Sequence, residues 1–308
     1  MISMSLCIIG WGKTESNLRL LEEAKKRFGS VFFVPIDGIG IGLNEEFSIS
    51  YRNSDILKFD AVLSRIPKKY YSYAYQLLSL FPKETYMPVK PISYLIAEER
   101  FFLLTVLRKR GVPTLNLHLA RSSKAAYRII EHANYPFIIR SPEKKTGIYV
   151  KKESEAKGII DALTSINQPV LVEEHVNDMV SVFVAEPDIL AALKKKSKEF
   201  DVVFGEGEMK KEKINKETEQ LAIEAANAIE AQIVRVDISR NPEPRIVNIE
   251  LNPSLVKASQ ISGVNLPEKI MEAVHNNYLL HKEKPMLIKF FEDAKSVVKD
   301  VLKSKQLL

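Results

Sequence analysis

Two carboxylates and an amide late in the chain have the types and spacing to hold a hard divalent cation. They lie in IVRVDISRNPEPRIVNIELNPS, residues 233–254. In the first half of this segment Val234, Val236 and Ile238 alternate with Arg235 and Asp237, so period-two geometry sends the two sets to opposite faces of a strand. In the second half Val247, Ile249 and Leu251 share one face, and Asn248, Glu250 and Asn252 the other. The turn Arg240-Asn241-Pro242-Glu243-Pro244 is compatible with antiparallel pairing. With the apolar faces together, Asp237, Glu250 and Asn252 meet on one polar surface. Mg²⁺ favours a few such oxygens, completed by phosphate oxygens and water. Carboxylates clustered without a cation repel one another. The competing reading is a solvated polar strand face, because alternating strands are common.

The elements that must position these groups follow from periodicity. SLCII (5–9) reads as a buried strand, with helical spacing over 15–28 and further strands at 31–35 and 60–65. This alternation predicts a small α/β unit. A Tyr- and Leu-rich helix is expected over 70–81 and a longer one over 95–110, ending at Gly111 with Pro113 beyond. Strands are expected at 115–121, 137–140, 147–151, 169–174, 179–185 and 189–193, and helices at 123–133, 153–164, 216–231 and 266–279. Residues 286–304 carry an apolar stripe, most simply a terminal helix packing on its own domain.

Composition narrows the class. The 308 residues are 45% hydrophobic and 27% charged, which excludes a disordered chain. Cys7 is the only cysteine, so neither an internal disulfide nor a thiolate zinc site can form. The net charge of +6 is diffuse, so a dedicated nucleic-acid role is not expected, and attraction for an anionic small substrate fits equally well. No run reaches the roughly 18 apolar residues of a membrane span, and the first residues lack a signal-peptide pattern. A cytoplasmic protein is expected.

Asp237 and the run Glu250-Leu-Asn252-Pro-Ser resemble the metal-binding signature of the ATP-grasp superfamily, most closely its RimK-like branch of amino-acid ligases. The resemblance extends in order over roughly residues 55–280. DAVLSRI (60–66), RGVPT (110–114), LVEEHV (171–176), VFVAEPDILAALKKK (182–196), ETEQLAIEAANAI (217–229) and SGVNLPEKI (262–270) each look like that branch's corresponding segment. It implies an α/β N-terminal domain (1–90) followed by a two-lobed α+β ATP-grasp fold. The central lobe with its lid would span 91–168, the C-terminal lobe with the metal site 169–282, and an amphipathic helix 283–308. It further implies ATP and Mg²⁺ as cofactors, and activation of a carboxylate as an acyl phosphate that an amine then attacks. The partners would be a small-molecule or protein carboxylate and an amino-acid-like amine, and such folds often form homo-oligomers.

The resemblance also implies roles for particular residues. Asp237, Glu250 and Asn252 fall on the metal ligands. Glu173 and Glu174 fall on the adenine hinge, where main-chain groups up to Val176 would read the base, and Asp178 lies within one position of a ribose-binding acid. Arg100 and Arg140 fall where phosphate-binding lysines are usual. Lys194 and Lys195 match a basic pair that approaches phosphate, and Arg65 an arginine near the acceptor.

The chain also departs from the pattern. The glycine-rich lid is reduced to Gly147, with Lys144 and Tyr149 at positions where glycine lets main-chain amides approach phosphate; Lys144 and Lys145 could reach phosphate with their side chains instead. Arginines at 100 and 140 keep the charge but change the geometry. Ser181 and residues 202–207 stand where the family has cations for the acyl phosphate, and no replacement is evident from sequence. Two functions follow: a divergent ligase, or a nucleotide-binding regulatory or scaffold protein with reduced turnover. Gly12-Lys13-Thr14 is not a P-loop, because Cys7 occupies the place of its first glycine.

Overall fold

Strand Ser5–Gly10 is apolar throughout and pairs in parallel on both sides, with Ser30–Pro35 and with Ala61–Arg65. Parallel strands need both faces covered. Helix Glu15–Lys25 and the long helix Leu266–Glu283 pack together beside this sheet, bringing Leu20, Ala24 and Phe28 onto Ile270, Val274 and Tyr278. Thr14 caps the first of these helices by accepting from the amide of Asn17. The register sets Gly10 beside Arg65 at the C-terminal edge of the sheet. This computed structural model describes residues 4–43, 47–142, 144, 146–197 and 207–283. The expected helix at 286–304, Lys145 and residues 202–206 lie outside the described residues.

Two larger sheets follow. The four-stranded one runs Leu117–Ala120, Val170–Glu174, Phe137–Arg140, Ile148–Val150, all antiparallel. Helices Ser123–Ile130 and Glu153–Ser165 cover one side, where Ala126, Ile130, Ala156 and Ile160 meet Phe137, Ile139 and Val172. Alternation then turns Ile138, Arg140 and Glu173 away from that core. The five-stranded sheet runs Gly207–Lys211, Asp188–Ser197, Met179–Ala185, Ile233–Ser239, Arg245–Glu250. One face carries Val180, Val182, Val234 and Val236 against helix Lys216–Ala228. The other is apolar where Phe183 and Leu193 meet Leu266 and Met271, and polar further along at Ser181 and Asp237.

Three features differ from the sequence expectation. Strands Gly40–Leu43, Phe47–Tyr51 and Ser54–Asp55 form a small antiparallel sheet where no strands were expected. The strand expected at 189–193 runs on through the lysines, as Asp188–Ser197. The helix expected over 95–110 is broken into Pro91–Glu98 and Arg100–Lys109. Glu99 is extended (φ −120°, ψ 129°), and its carboxylate accepts from the amides of Phe101 and Phe102, capping the second helix. A helix start leaves amides without intrahelical partners, and an acidic side chain there satisfies them. The break sets Arg100 on the first turn, buried beneath the two larger sheets.

Candidate functional site

The two late strands pair antiparallel, with Arg235 opposite Glu250 and Asp237 opposite Asn248. Asp237 is fully buried, and each of its oxygens accepts twice. Oδ1 takes the Ser181 hydroxyl at 2.6 Å and Arg235 Nε at 2.9 Å. Oδ2 takes Arg235 Nη2 at 2.9 Å and Asn248 Nδ2 at 3.2 Å. The repulsion that argued for a metal is therefore met in this structure by a guanidinium. Burial pulls the Arg235 pKa down, but the charge and hydrogen bonds of Asp237 and the charge of Glu250 outweigh it and hold it above its ordinary value.

Glu250 and Asn252 lie at the mouth of this cluster. Glu250 Oε1 accepts from the Asn252 amide at 3.2 Å and from the Tyr71 hydroxyl at 3.4 Å. Burial, then the Glu250 charge, pushes the Tyr71 phenol well up, so it stays a donor. Asn252 Nδ2 donates to the Arg65 carbonyl at 3.3 Å, and Arg65 Nη2 donates to the Pro253 carbonyl at 2.8 Å. Burial pulls Arg65 down to about 10, which leaves it charged at neutral pH. Arg65 thus stands at the junction of the first sheet and the late hairpin. Among the described residues no group of three or more His, Cys, Asp and Glu gathers to hold a metal. The candidate set is two carboxylates and one amide. Glu250 and Asn252 fit a hard cation as they stand, and Asp237 fits once a donor is withdrawn.

Behind this cluster lies a second charged group. Glu173 Oε1 is 3.0 Å from Arg100 Nε and 3.1 Å from Arg140 Nε, and all three side chains are at most 4% exposed. Arg100 also donates to the Val247 carbonyl at 2.6 Å, one residue before the Asn248 that bonds Asp237. The two groups therefore form one continuous network between the larger sheets. Two guanidiniums converge on this carboxylate, and paired guanidiniums suit phosphate. Gly147 lies against it: a Cβ there would be 2.5 Å from Ile138 Cγ2 and 3.0 Å from Arg140 Cζ.

The remaining expected residues divide as follows. Glu174 makes a bidentate pair with Arg245, at 2.7 and 2.8 Å. Val176 is buried with Leu115, Met179 and Val247. Tyr149 meets the His175 ring at 4.8 Å beside this strand end. Asp178 is paired with Lys194 at 3.0 Å and Arg240 at 3.3 Å. Neighbours on a strand point to opposite faces. The expected Lys194–Lys195 pair is therefore split, with Lys195 on the face of Ser181 and Lys194 on the other. Sequence reasoning gave no role to Arg235, Ser181, Asn248 or Tyr71. Arg235 was legible as the same-face neighbour of Asp237, whereas Tyr71 meets Glu250 only through tertiary folding.

The sequence profile of the RimK-like ATP-grasp domain matches residues 97–274, more than half of the chain, and the chain belongs to that family. It is similar to a probable alpha-L-glutamate ligase of Stutzerimonas stutzeri (strain A1501), 25% identical over 278 residues that cover 85% of this chain and 92% of the relative. It is also similar to a ribosomal protein bS6–L-glutamate ligase of Escherichia coli O81 (strain ED1a), 22% identical over 290 residues, 89% of this chain and 96% of the relative. Among solved structures, the ATP-grasp ligase PsnB, complexed with a phosphomimetic variant of its minimal precursor, Mg and ADP, superposes with a TM-score of 0.69. That match is 14% identical and covers 90% of this chain and all of PsnB, so the ATP-grasp fold is shared.

Proposed function

We propose that the chain is an ATP- and Mg²⁺-dependent carboxylate–amine ligase. The observation that carries this reading is the chain of contacts running from Arg140, Glu173 and Arg100 through Val247 and Asn248 to Asp237 and Arg235, with Glu250 across the strand ladder from Arg235. One end gathers two guanidiniums and suits phosphate. The other offers carboxylate and amide oxygens suited to Mg²⁺. The relatives' names, both glutamate ligases, support the same class.

In this reading residues 1–90, 91–168 and 169–282 are an N-terminal domain, a central lobe and a C-terminal lobe. Nucleotide lies between the larger sheets, with the base against 174–176. Arg100 and Arg140 orient its phosphates. Glu250 and Asn252 hold the cation, which when bound neutralises phosphate charge and aligns the transferred group. Arg65, fixed at the junction by the Pro253 carbonyl, orients the incoming carboxylate. Tyr71 holds Glu250 in place. The chemistry expected is formation of an acyl phosphate followed by attack of the amine, with an amino acid as amine and a polypeptide or small-molecule carboxylate as acceptor.

The test is ADP release by the purified chain with Mg²⁺, glutamate and a panel of carboxylates, including peptides. Release that requires metal, acid and amine together supports the ligase. Mg²⁺·ATP binding with no release over the whole panel contradicts it and leaves a nucleotide-binding regulator.

A further inference from the structure

Asp237 has no lone pair to spare. A carboxylate offers about four acceptor directions, and Ser181, Asn248 and the two Arg235 nitrogens fill them all. A divalent ion that binds Asp237 must therefore remove a donor. Arg235 is the one whose charge such an ion duplicates. It pairs with Asp237 and lies across the ladder from Glu250, whose charge it feels. Its side chain is 23% exposed while Asp237 is wholly enclosed, so the arginine has a way out and the aspartate does not.

We propose that Arg235 is a resident counter-cation of the metal site. Mg²⁺ reaches Asp237 only by displacing it, and the freed guanidinium is then available to phosphoryl oxygens on the same face. This rests on the ligase-site reading and adds a gate to it: metal loading and presentation of the arginine become one event. It supplies the cation that the sequence lacks at Ser181. It also makes metal affinity low in the resting protein, because each Mg²⁺ bound must first break a bidentate charge-assisted pair.

The test uses the full chain and Mn²⁺ alone, titrated by electron paramagnetic resonance without nucleotide, for wild type, Arg235→Gln, Arg235→Lys and Glu250→Gln. Arg235→Gln should bind Mn²⁺ at least about tenfold more tightly than wild type, and Arg235→Lys, which keeps the charge without the fork, should fall between. Unchanged or weaker Mn²⁺ binding by folded Arg235→Gln overturns the proposal. Should that variant fail to fold, the wild-type Arg235 Nε–H resonance decides. It should shift and exchange faster with water as Mg²⁺ is added, and a resonance unmoved at saturating Mg²⁺ overturns the gate. Glu250→Gln separates the two readings. If it weakens Mn²⁺ binding while Arg235 changes do nothing, the metal site stands and the gate falls. If neither matters, both fall.

Discussion

Replacing Glu173 by Gln keeps the shape of the side chain and removes a carboxylate that lies between Arg100 and Arg140. In the native fold its Oε1 meets both arginines, at 3.0 and 3.1 Å, with the three side chains 3%, 4% and 1% exposed. Almost no water reaches either guanidinium to screen its charge. Removing one member of such a buried ionic group costs about 3–5 kcal/mol. At roughly 2–4 °C per kcal/mol for a chain of this size class, the melting temperature should fall on the order of 10 °C. The same variant removes a competing anion from two arginines assigned here to phosphate. Thermal melting with and without tripolyphosphate therefore reads both effects, and the anion should raise the melting temperature of Glu173→Gln well beyond its effect on wild type. A variant that melts within about 2 °C of wild type would show that the group is not held electrostatically. A normal loss of stability with no extra rescue by tripolyphosphate would refute the assignment of Arg100 and Arg140 to phosphate.

Glu250→Gln should weaken Mg²⁺-dependent nucleotide affinity at least about tenfold, measured by calorimetry with and without metal, while nucleotide binding in chelator stays unchanged. Gly147→Ala drives a methyl to 2.5 Å from Ile138 Cγ2 and against the Arg140 guanidinium, so it should destabilise by about 1–3 kcal/mol in denaturant titration and weaken nucleotide binding as Arg140 shifts. Burial pushes the Cys7 thiol up to about 12, so native protein at pH 8 should resist alkylation and react only on unfolding. Because that folded value is raised, Cys7 contributes its full stability below the unfolded thiol value near ~8.5 and loses it as pH climbs toward about 12; Cys7→Ser should flatten that alkaline limb of a melting curve.

Strand identity was readable wherever apolar alternation was unbroken. Residues 233–238 and 245–250 form the expected antiparallel hairpin, one residue short of the expected end at Leu251, and 5–9 lie in the expected buried strand. The broken helix at Glu99 was not readable, because the apolar stripe runs through the break and only the capping bonds to Phe101 and Phe102 reveal it. The small sheet at 40–55 escaped because its glycines and serines carry little hydrophobic pattern. In the site, period two puts Asp237 and Arg235 on one face, yet residue type alone made only the carboxylate interesting. Their bidentate pairing is joined by hydrogen bonds to Asp237 from Ser181 and Asn248 on neighbouring strands. The union of Arg100, Arg140 and Glu173 joins three segments distant in sequence, so no local pattern announces it. Lys194 and Lys195 show the converse. Adjacency in sequence suggested a common target, and strand geometry divides them.

The most direct measurement is a crystal of the full chain grown with Mn²⁺ and a non-hydrolysable ATP analogue, with data collected at the manganese edge. An anomalous peak within ligand distance of Glu250 and Asn252, phosphates on Arg100 and Arg140, and the base against residues 174–176 is the result expected of an ATP-grasp ligase site. A peak elsewhere, or nucleotide lying away from the two larger sheets, would contradict it.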